Sequence, residues 1–264
     1  MLPLTHWPHA ARAGLAGVLT DIDDTLTTDG AATPAVLSAI ARLRQSDLHV
    51  IAVTGRPAGW SEPFALAWPV EAIVAENGAV ALVADGAGGL RKLYQQDAAT
   101  RARNFAHMQQ VAARILREVP GATLARDSAG RETDIAIDHS EYSHLPQARI
   151  DEVVAIMRAE GMNATVSSIH VNGWFGEHDK LDGARWILRT LLGRTLDDEI
   201  ARWAYVGDST NDERMFAHFP HAIGVANIRR FLPMLRHRPA YVTESERGEG
   251  FAEVAQAILQ ARGR

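Results

Sequence analysis

Residues 17–27 read GVLTDIDDTLT, and the way that stretch changes character decides the fold. Its first four residues are an apolar run short enough for a strand buried on both faces. The run stops at Asp21-Ile22-Asp23-Asp24, so the predicted strand delivers carboxylates at its C-terminal end. Asp21 and Asp23 would share a face if the strand continued. At a strand end both can enter the crevice beyond it. Two carboxylates held that close repel, so one takes a proton or a cation lies between them.

Working outward, Thr33-Pro34 predicts a helix N-cap followed by proline at the first helical position. Val36, Leu37, Ile40 and Leu43 keep helical spacing behind it. A second buried strand is predicted at 48–53, closed by Thr54-Gly55-Arg56-Pro57, and a third at 72–75, closed by Glu76-Asn77-Gly78. Strand, helix, strand at these lengths predicts a parallel sheet. The C-terminal third repeats the grammar: helix 182–192, strand 203–206 ending in Gly207-Asp208, helix 211–219, strand 222–225 and a closing helix 250–261.

The middle differs. Residues 80–83 and 90–94 flank a glycine-rich turn and predict a hairpin. A long helix over 98–119, strands at 122–126 and 133–137, a helix over 146–160 and a strand over 164–171 predict an antiparallel α+β unit. The expected fold class is α/β: a Rossmann-like doubly wound parallel core, residues 1–83 and 179–264, with an α+β domain inserted over 84–178.

Composition narrows the chemistry. The chain has 264 residues, enough for such a pair of domains, and its net charge of −5 argues against nucleic acid or an anionic membrane as the main partner. A small anion is not excluded, because one local site can be positive. With no cysteine there is no disulfide, zinc–thiolate site or thiol nucleophile. His6, Pro8, His9 and Arg12 interrupt the start, and no 18-residue apolar stretch occurs, so neither a signal peptide nor a membrane span is expected and the cytoplasm is the default setting.

Sites in open parallel sheets form beyond the C-terminal strand ends. Those ends carry Asp21 with Asp23, Thr54 with Gly55, Asn77, and Asp208 followed by Asn211 and Asp212; Lys180 lies where the chain re-enters the parallel domain. Taken singly, such residues are ordinary turns, caps or a solvated lysine. Together, at one edge, they form a phosphate-handling constellation. Clustered carboxylates without cysteine favour a hard cation such as Mg²⁺, which pairs with phosphate oxygens. Lys180 supplies opposite charge, and the Thr54 hydroxyl beside the Gly55 amide is a candidate phosphate donor pair.

DIDDTLT at 21–27, VTGR at 53–56, Lys180 and GDSTND at 207–212 resemble the four motifs of the haloacid dehalogenase superfamily. ENGA at 76–79 and the inserted unit resemble its Cof-type branch, subfamily IIB, with a C2B cap. The resemblance implies a phosphoric monoester hydrolase of the sugar-phosphate phosphatase kind. It implies that Asp21 attacks phosphorus to form an aspartyl-phosphate and that Asp23 protonates the leaving oxygen and then activates water. Thr54 and Lys180 would hold the phosphoryl group; Asp21, the Asp23 main-chain carbonyl and Asp208 would hold Mg²⁺; Asn211 and Asp212 would orient them. The sequence departs from the pattern at Asp24, where the family usually has glycine. Aspartate tolerates turn conformations, so the backbone is expected to survive.

In such capped enzymes the insert selects the substrate. Candidates are Arg126, Arg131, Ser167, Asn172 and Trp174. The two arginines flank a predicted turn, where a solvated hairpin is the simpler reading. Trp174 suits core packing and sugar stacking equally, and His170 and His178 read as structural. The expected partner is a small phosphate ester, the expected state a monomer or homodimer. A phosphomutase of the phosphomannomutase type and a non-catalytic phosphate- or metal-binding module are the alternatives.

Overall fold

The structure, a computed structural model, describes residues 1–263. In chain order it begins with β1 (Leu2–Pro3), α1 (His9–Ala13), β2 (Gly17–Thr20), the two short strands β3 (Thr27–Thr28) and β4 (Ala31–Ala32), α2 (Pro34–Gln45) and β5 (His49–Val53). Next come α3 (Ala58–Ala67), β6 (Ala72–Ala75), β7 (Val80–Ala84) and β8 (Leu90–Tyr94). The middle holds α4 (Ala98–Glu118), β9 (Thr123–Leu124), β10 (Ile135–Asp138), α5 (Gln147–Ala159), β11 (Asn163–Val166) and β12 (His170–Trp174). The last third is α6 (Lys180–Leu192), β13 (Trp203–Gly207), α7 (Glu213–His218), β14 (His221–Gly224), β15 (Tyr241–Val242) and α8 (Arg247–Ala261).

Nine strands form one sheet in the order β1-β15-β14-β13-β2-β5-β6-β7-β8, parallel up to β6 and antiparallel beyond it. β2, β6 and β13 are buried at every residue, because helices cover both faces. One face packs Val36, Ile40 and Leu43 of α2 with Phe251, Val254 and Ile258 of α8. The other packs Leu181, Ile187 and Leu188 of α6 with Met215 and Phe216 of α7. The expected fold class is the one observed. The order jumps from β2 to β13 on one side and β5 on the other, and the switch point so formed is where sites arise in open α/β sheets.

A second, four-stranded antiparallel sheet, β11-β12-β10-β9, packs its own core against α4 and α5. Three details differ from the sequence expectation. Residues 164–171 are not one strand: the chain reverses at 167–169 and runs back as β12, antiparallel to β11. β8 pairs along β7, so residues 90–94 extend the large sheet and the second sheet is built from chain that follows them. A helix, α3, lies between β5 and β6, carrying Pro63 inside it.

Two glycines shape the crossing between the sheets. Gly78 has φ +107°, and a Cβ there would sit 2.2 Å from the Asp179 carbonyl oxygen. A Cβ on Gly183 would meet Gly78 Cα at 2.5 Å. Only bare backbones fit here. The departing chain and the returning chain touch, and Lys180 begins α6 one residue later. Asp179 caps that helix, accepting from the Leu181 and Asp182 amides at 2.8 and 3.0 Å.

Candidate active site

The strand ends bring Asp21, Thr54, Lys180, Asp208 and Asp212 together, whereas Asn77 turns to the insert and donates to Asp134 Oδ2 at 3.4 Å. The Asp21 amide donates to the Val206 carbonyl at 2.9 Å, locking the turn after β2 to β13. Lys180 Nζ lies 2.6 Å from Asp21 Oδ1 and 2.7 Å from Asp212 Oδ1, in a pocket where all three are buried. Asp212 has no spare capacity. Its Oδ1 also accepts from the Tyr205 hydroxyl at 2.5 Å, and its Oδ2 accepts from the Asp208 and Ser209 amides at 2.9 and 3.2 Å.

Asp208 is the opposite case. Oδ2 accepts from Asn227 Nδ2 at 3.0 Å, but Oδ1 is buried with no hydrogen-bond partner among the described residues. Burial first, then the nearby charges of Asp21 and Asp212, push its carboxyl well above the ordinary aspartate range. Burial also pushes Asp21 up, to about 7, against the opposing pull of Lys180. Carboxylate oxygens of Asp21, Asp208 and Asp212 lie within 4.8 Å of one another and could hold a metal ion. An orphaned oxygen among excess negative charge is what a hard cation satisfies, so the donor set fits Mg²⁺. Of the four carboxylates read as metal-binding, Asp21 and Asp208 fit best. Asp212 is spent on Lys180, Tyr205 and two amides. The Asp23 carboxylate points elsewhere, accepting from Arg56 Nε at 2.9 and 3.0 Å, which leaves its main chain as its only offering to a metal.

Thr54 is buried, and its Oγ1 accepts from the Arg56 amide at 3.0 Å, leaving its proton free to donate. Thr54, Gly55, Ser209 and Asn211 line a small cavity with Asp21 and Asp23. The turn from Ser167 to His170 roofs it. Thr210 Oγ1 donates to the Val166 carbonyl at 2.6 Å, tying that roof to the Asp208 loop. Outside this lies a cleft of about 790 Å³, reached by Asp23, Arg56, Glu141, Arg230 and Arg247.

Three candidates from the insert, Arg126, Arg131 and Trp174, do not line this space. Arg131 is buried and salt-bridged to Asp127 and Asp134, with Nη1 on the Gly55 carbonyl at 3.1 Å. It ties the second sheet to the Thr54 loop instead of presenting charge to a ligand. Trp174 is 2 % exposed in the core of the insert, its Nε1 donating to the His178 carbonyl at 2.8 Å. Asn172 donates to the Gly55 carbonyl at 3.3 Å and lines the small cavity, as does Ser167. Arg126 lies over the Tyr142 ring at 3.9 Å.

Sequence reasoning gave no role to Arg56, Tyr205, Asn227, Glu141, Arg230 or Arg247. Arg56 carried a signal, its place in VTGR. It bonds Asp23 and also reaches Asp127 and Glu141 of the insert at 3.1 and 2.8 Å. Glu141 in turn meets His170 Nε2 at 2.8 Å; although burial alone would raise it, the His170 and Arg56 contacts hold its carboxyl down near 2. Asp24 does adopt a glycine-favouring backbone, φ +54°. Its carboxylate meets Arg230 Nη2 and Arg247 Nε, each at 3.2 Å.

The family model for haloacid dehalogenase-like hydrolases matches residues 18–118. No curated protein matches the chain by sequence. Among solved structures, a haloacid dehalogenase-like hydrolase from Bacteroides thetaiotaomicron superposes with a TM-score of 0.66 at 15% identity, over 92% of this chain and 99% of that one. The sucrose-phosphatase from Synechocystis, solved with sucrose and phosphate, gives 0.65 at 15% identity over 92% and 98%. A sugar phosphatase of haloacid dehalogenase subclass IIB gives 0.63 at 13% identity over 91% and 97%. No helix among the described residues is long and apolar enough to cross a membrane. The chain is therefore similar to the haloacid dehalogenase-like hydrolases twice over, in sequence across residues 18–118 and in fold across nearly its whole length.

Proposed function

We propose that the protein is a magnesium-dependent phosphatase that hydrolyses a small phosphorylated metabolite, a sugar phosphate, through a covalent intermediate on Asp21. One observation carries the reading. Asp21 shares a buried lysine with Asp212 and a carboxylate cluster with Asp208, whose Oδ1 is unpartnered.

In this reading Asp21 attacks phosphorus and the bond to the ester oxygen breaks. Asp23 gives its proton to that leaving oxygen. Asp23 then takes a proton from a water that attacks the aspartyl-phosphate, which releases inorganic phosphate and restores Asp21. Lys180 shields Asp21 and holds a phosphoryl oxygen, held in place itself by Asp212. The Thr54 hydroxyl and the Gly55 and Asn211 groups lining the small cavity hold the remaining oxygens. Arg56 fixes the Asp23 carboxylate from the floor of the outer cleft. Mg²⁺, on Asp21, Asp208 and the Asp23 carbonyl, would neutralise charge on the phosphoryl group. The inserted domain, read as residues 84–178, acts as the cap. Its turn at 167–170 excludes water from the small cavity.

The test is phosphate release from a panel of phosphorylated metabolites by the purified protein. Steady release with Mg²⁺ and none in excess chelator is the expected outcome. Turnover that depends on added sugar bisphosphate and leaves the phosphoryl group on the product would make the protein a mutase. No turnover of any ester would leave a binding module.

A further inference from the structure

We propose that Arg230 and Arg247 form a subsite for a second anionic group, a carboxylate or a second phosphate, on the ester that this enzyme hydrolyses. The proposal deepens the phosphatase reading and rests on it.

Both arginines line the 790 Å³ cleft, on the wall where the chain leaves Asp23. They are built into place. Asp24 meets Arg230 Nη2 through Oδ2 and Arg247 Nε through Oδ1, so one carboxylate splays two guanidinium groups. Asn227 fixes the main chain on both sides. Its Nδ2 donates to the Asp24 carbonyl at 3.0 Å, and its Oδ1 accepts from the Arg247 amide at 2.9 Å. Asp24 and Arg247 both have left-handed backbones, φ +54° and +53°. Non-glycine residues keep such conformations only where the surroundings over-determine them.

The charges do not cancel. Asp29 meets Arg247 Nη1 at 2.6 Å, but its side chain is 84% exposed and solvent screens the pair. Asp23 and Glu141, the other acids on the cleft, are taken by Arg56. Asp208 Oδ2 lies 3.5 Å from Arg230 Nη2 and makes the remaining claim on it. Among the described residues, Nε and Nη1 of Arg230 and Nε and Nη2 of Arg247 make no hydrogen bond, the Arg247 Nε facing Asp24 as an ion pair only. Uncommitted guanidinium N–H groups are suited to charge-assisted hydrogen bonds with a carboxylate or phosphate. An Asp in place of glycine beside a phosphate site is unfavourable by itself. It becomes intelligible as the post that holds two cations toward the substrate.

The experiment uses the full chain with Asp21→Asn, so that esters bind without turnover, in Mg²⁺, by calorimetric titration. The ligands are 3-phosphoglycerate, glycerol 3-phosphate and inorganic phosphate. The first two differ chiefly by one carboxylate. The expected result is a preference of about 10-fold or more for 3-phosphoglycerate, the effect of a charge-assisted hydrogen bond. Arg230→Gln and Arg247→Gln should each shrink that ratio toward one. Equal affinities in the parent, or a ratio that survives both substitutions, overturns the subsite. If Arg247→Gln fails to fold, Arg230→Gln decides alone, since that side chain is 46% exposed. Failure of the parent to bind any of the three, phosphate included, overturns the phosphatase reading instead.

Discussion

The two sheets bury charge in opposite ways. In the insert, Arg131 lies between Asp127 and Asp134, and Asp138 accepts amides from Ser140, Glu141, Tyr142 and Ser143. Each of these buried charges has its partner. At the edge of the large sheet, Asp21 and Asp212 share one lysine, Asp208 has only Arg230 at 3.5 Å as a counter-charge, and its Oδ1 is left without a partner. A satisfied buried charge is architecture. A buried charge left unsatisfied is a cost that folding alone does not explain, and it marks the place where a ligand completes the structure.

The largest effect expected from this contrast is at Asp21. Asp21→Asn should abolish turnover, because an amide cannot form the acyl-phosphate, while the protein remains folded. Steady-state rates with a circular dichroism check decide it. A variant within about 100-fold of wild type, under ~3 kcal/mol of barrier, would break the nucleophile assignment. Next comes the insert. Arg131→Ala strands Asp134, while Asp127 keeps Arg56, and should cost ~3–5 kcal/mol of stability, measured by urea unfolding, without reordering the substrates that remain accepted. A reordered panel at unchanged stability would turn Arg131 back into a ligand residue. The smallest effect should have the opposite sign. Asp208→Asn removes a buried charge, so in chelator the protein should gain about 1–3 kcal/mol. The same variant should lose the upward shift in melting temperature that Mg²⁺ gives the wild type. A loss of stability in chelator would show that the Asp208 charge is already compensated, and the contrast between the sheets would fail there.

The same contrast explains what the sequence discloses. The large sheet writes its candidate site in one dimension: each strand is an apolar run, and the polar residue that ends it faces the candidate site. Asp21, Thr54 and Asp208 are found that way. The sequence is silent wherever function depends on tertiary crossing. Ser167-Ser168 reverses the chain without glycine or proline, so 164–171 reads as a single strand and the roof of the cavity is lost. α3 has Gly59 and Pro63 in its span and no polar stripe, so its helical period is hidden. Trp174 reads from the sequence equally as core packing or sugar stacking, and it fills the core of the insert. Arg230 and Arg247 lie 206 and 223 residues beyond Asp24, with no pattern between to announce that they meet.

The contact between Gly78 and Gly183 bears on how such a chain can change over time. Because the departing and returning backbones touch, the parallel fold sees everything inserted beyond β8 as a loop whose ends are already closed. The entropy of closing a loop rises only with the logarithm of its length, about 0.6 kcal/mol per doubling. An insert of half or twice the size would therefore burden the core by less than the loss of one well-packed side chain. The core can keep Asp21, Lys180 and Asp208 in register while the insert is enlarged, trimmed or replaced. The two glycines are the condition for that freedom: a side chain at either would pry the backbones apart, and the first residue displaced would be Lys180.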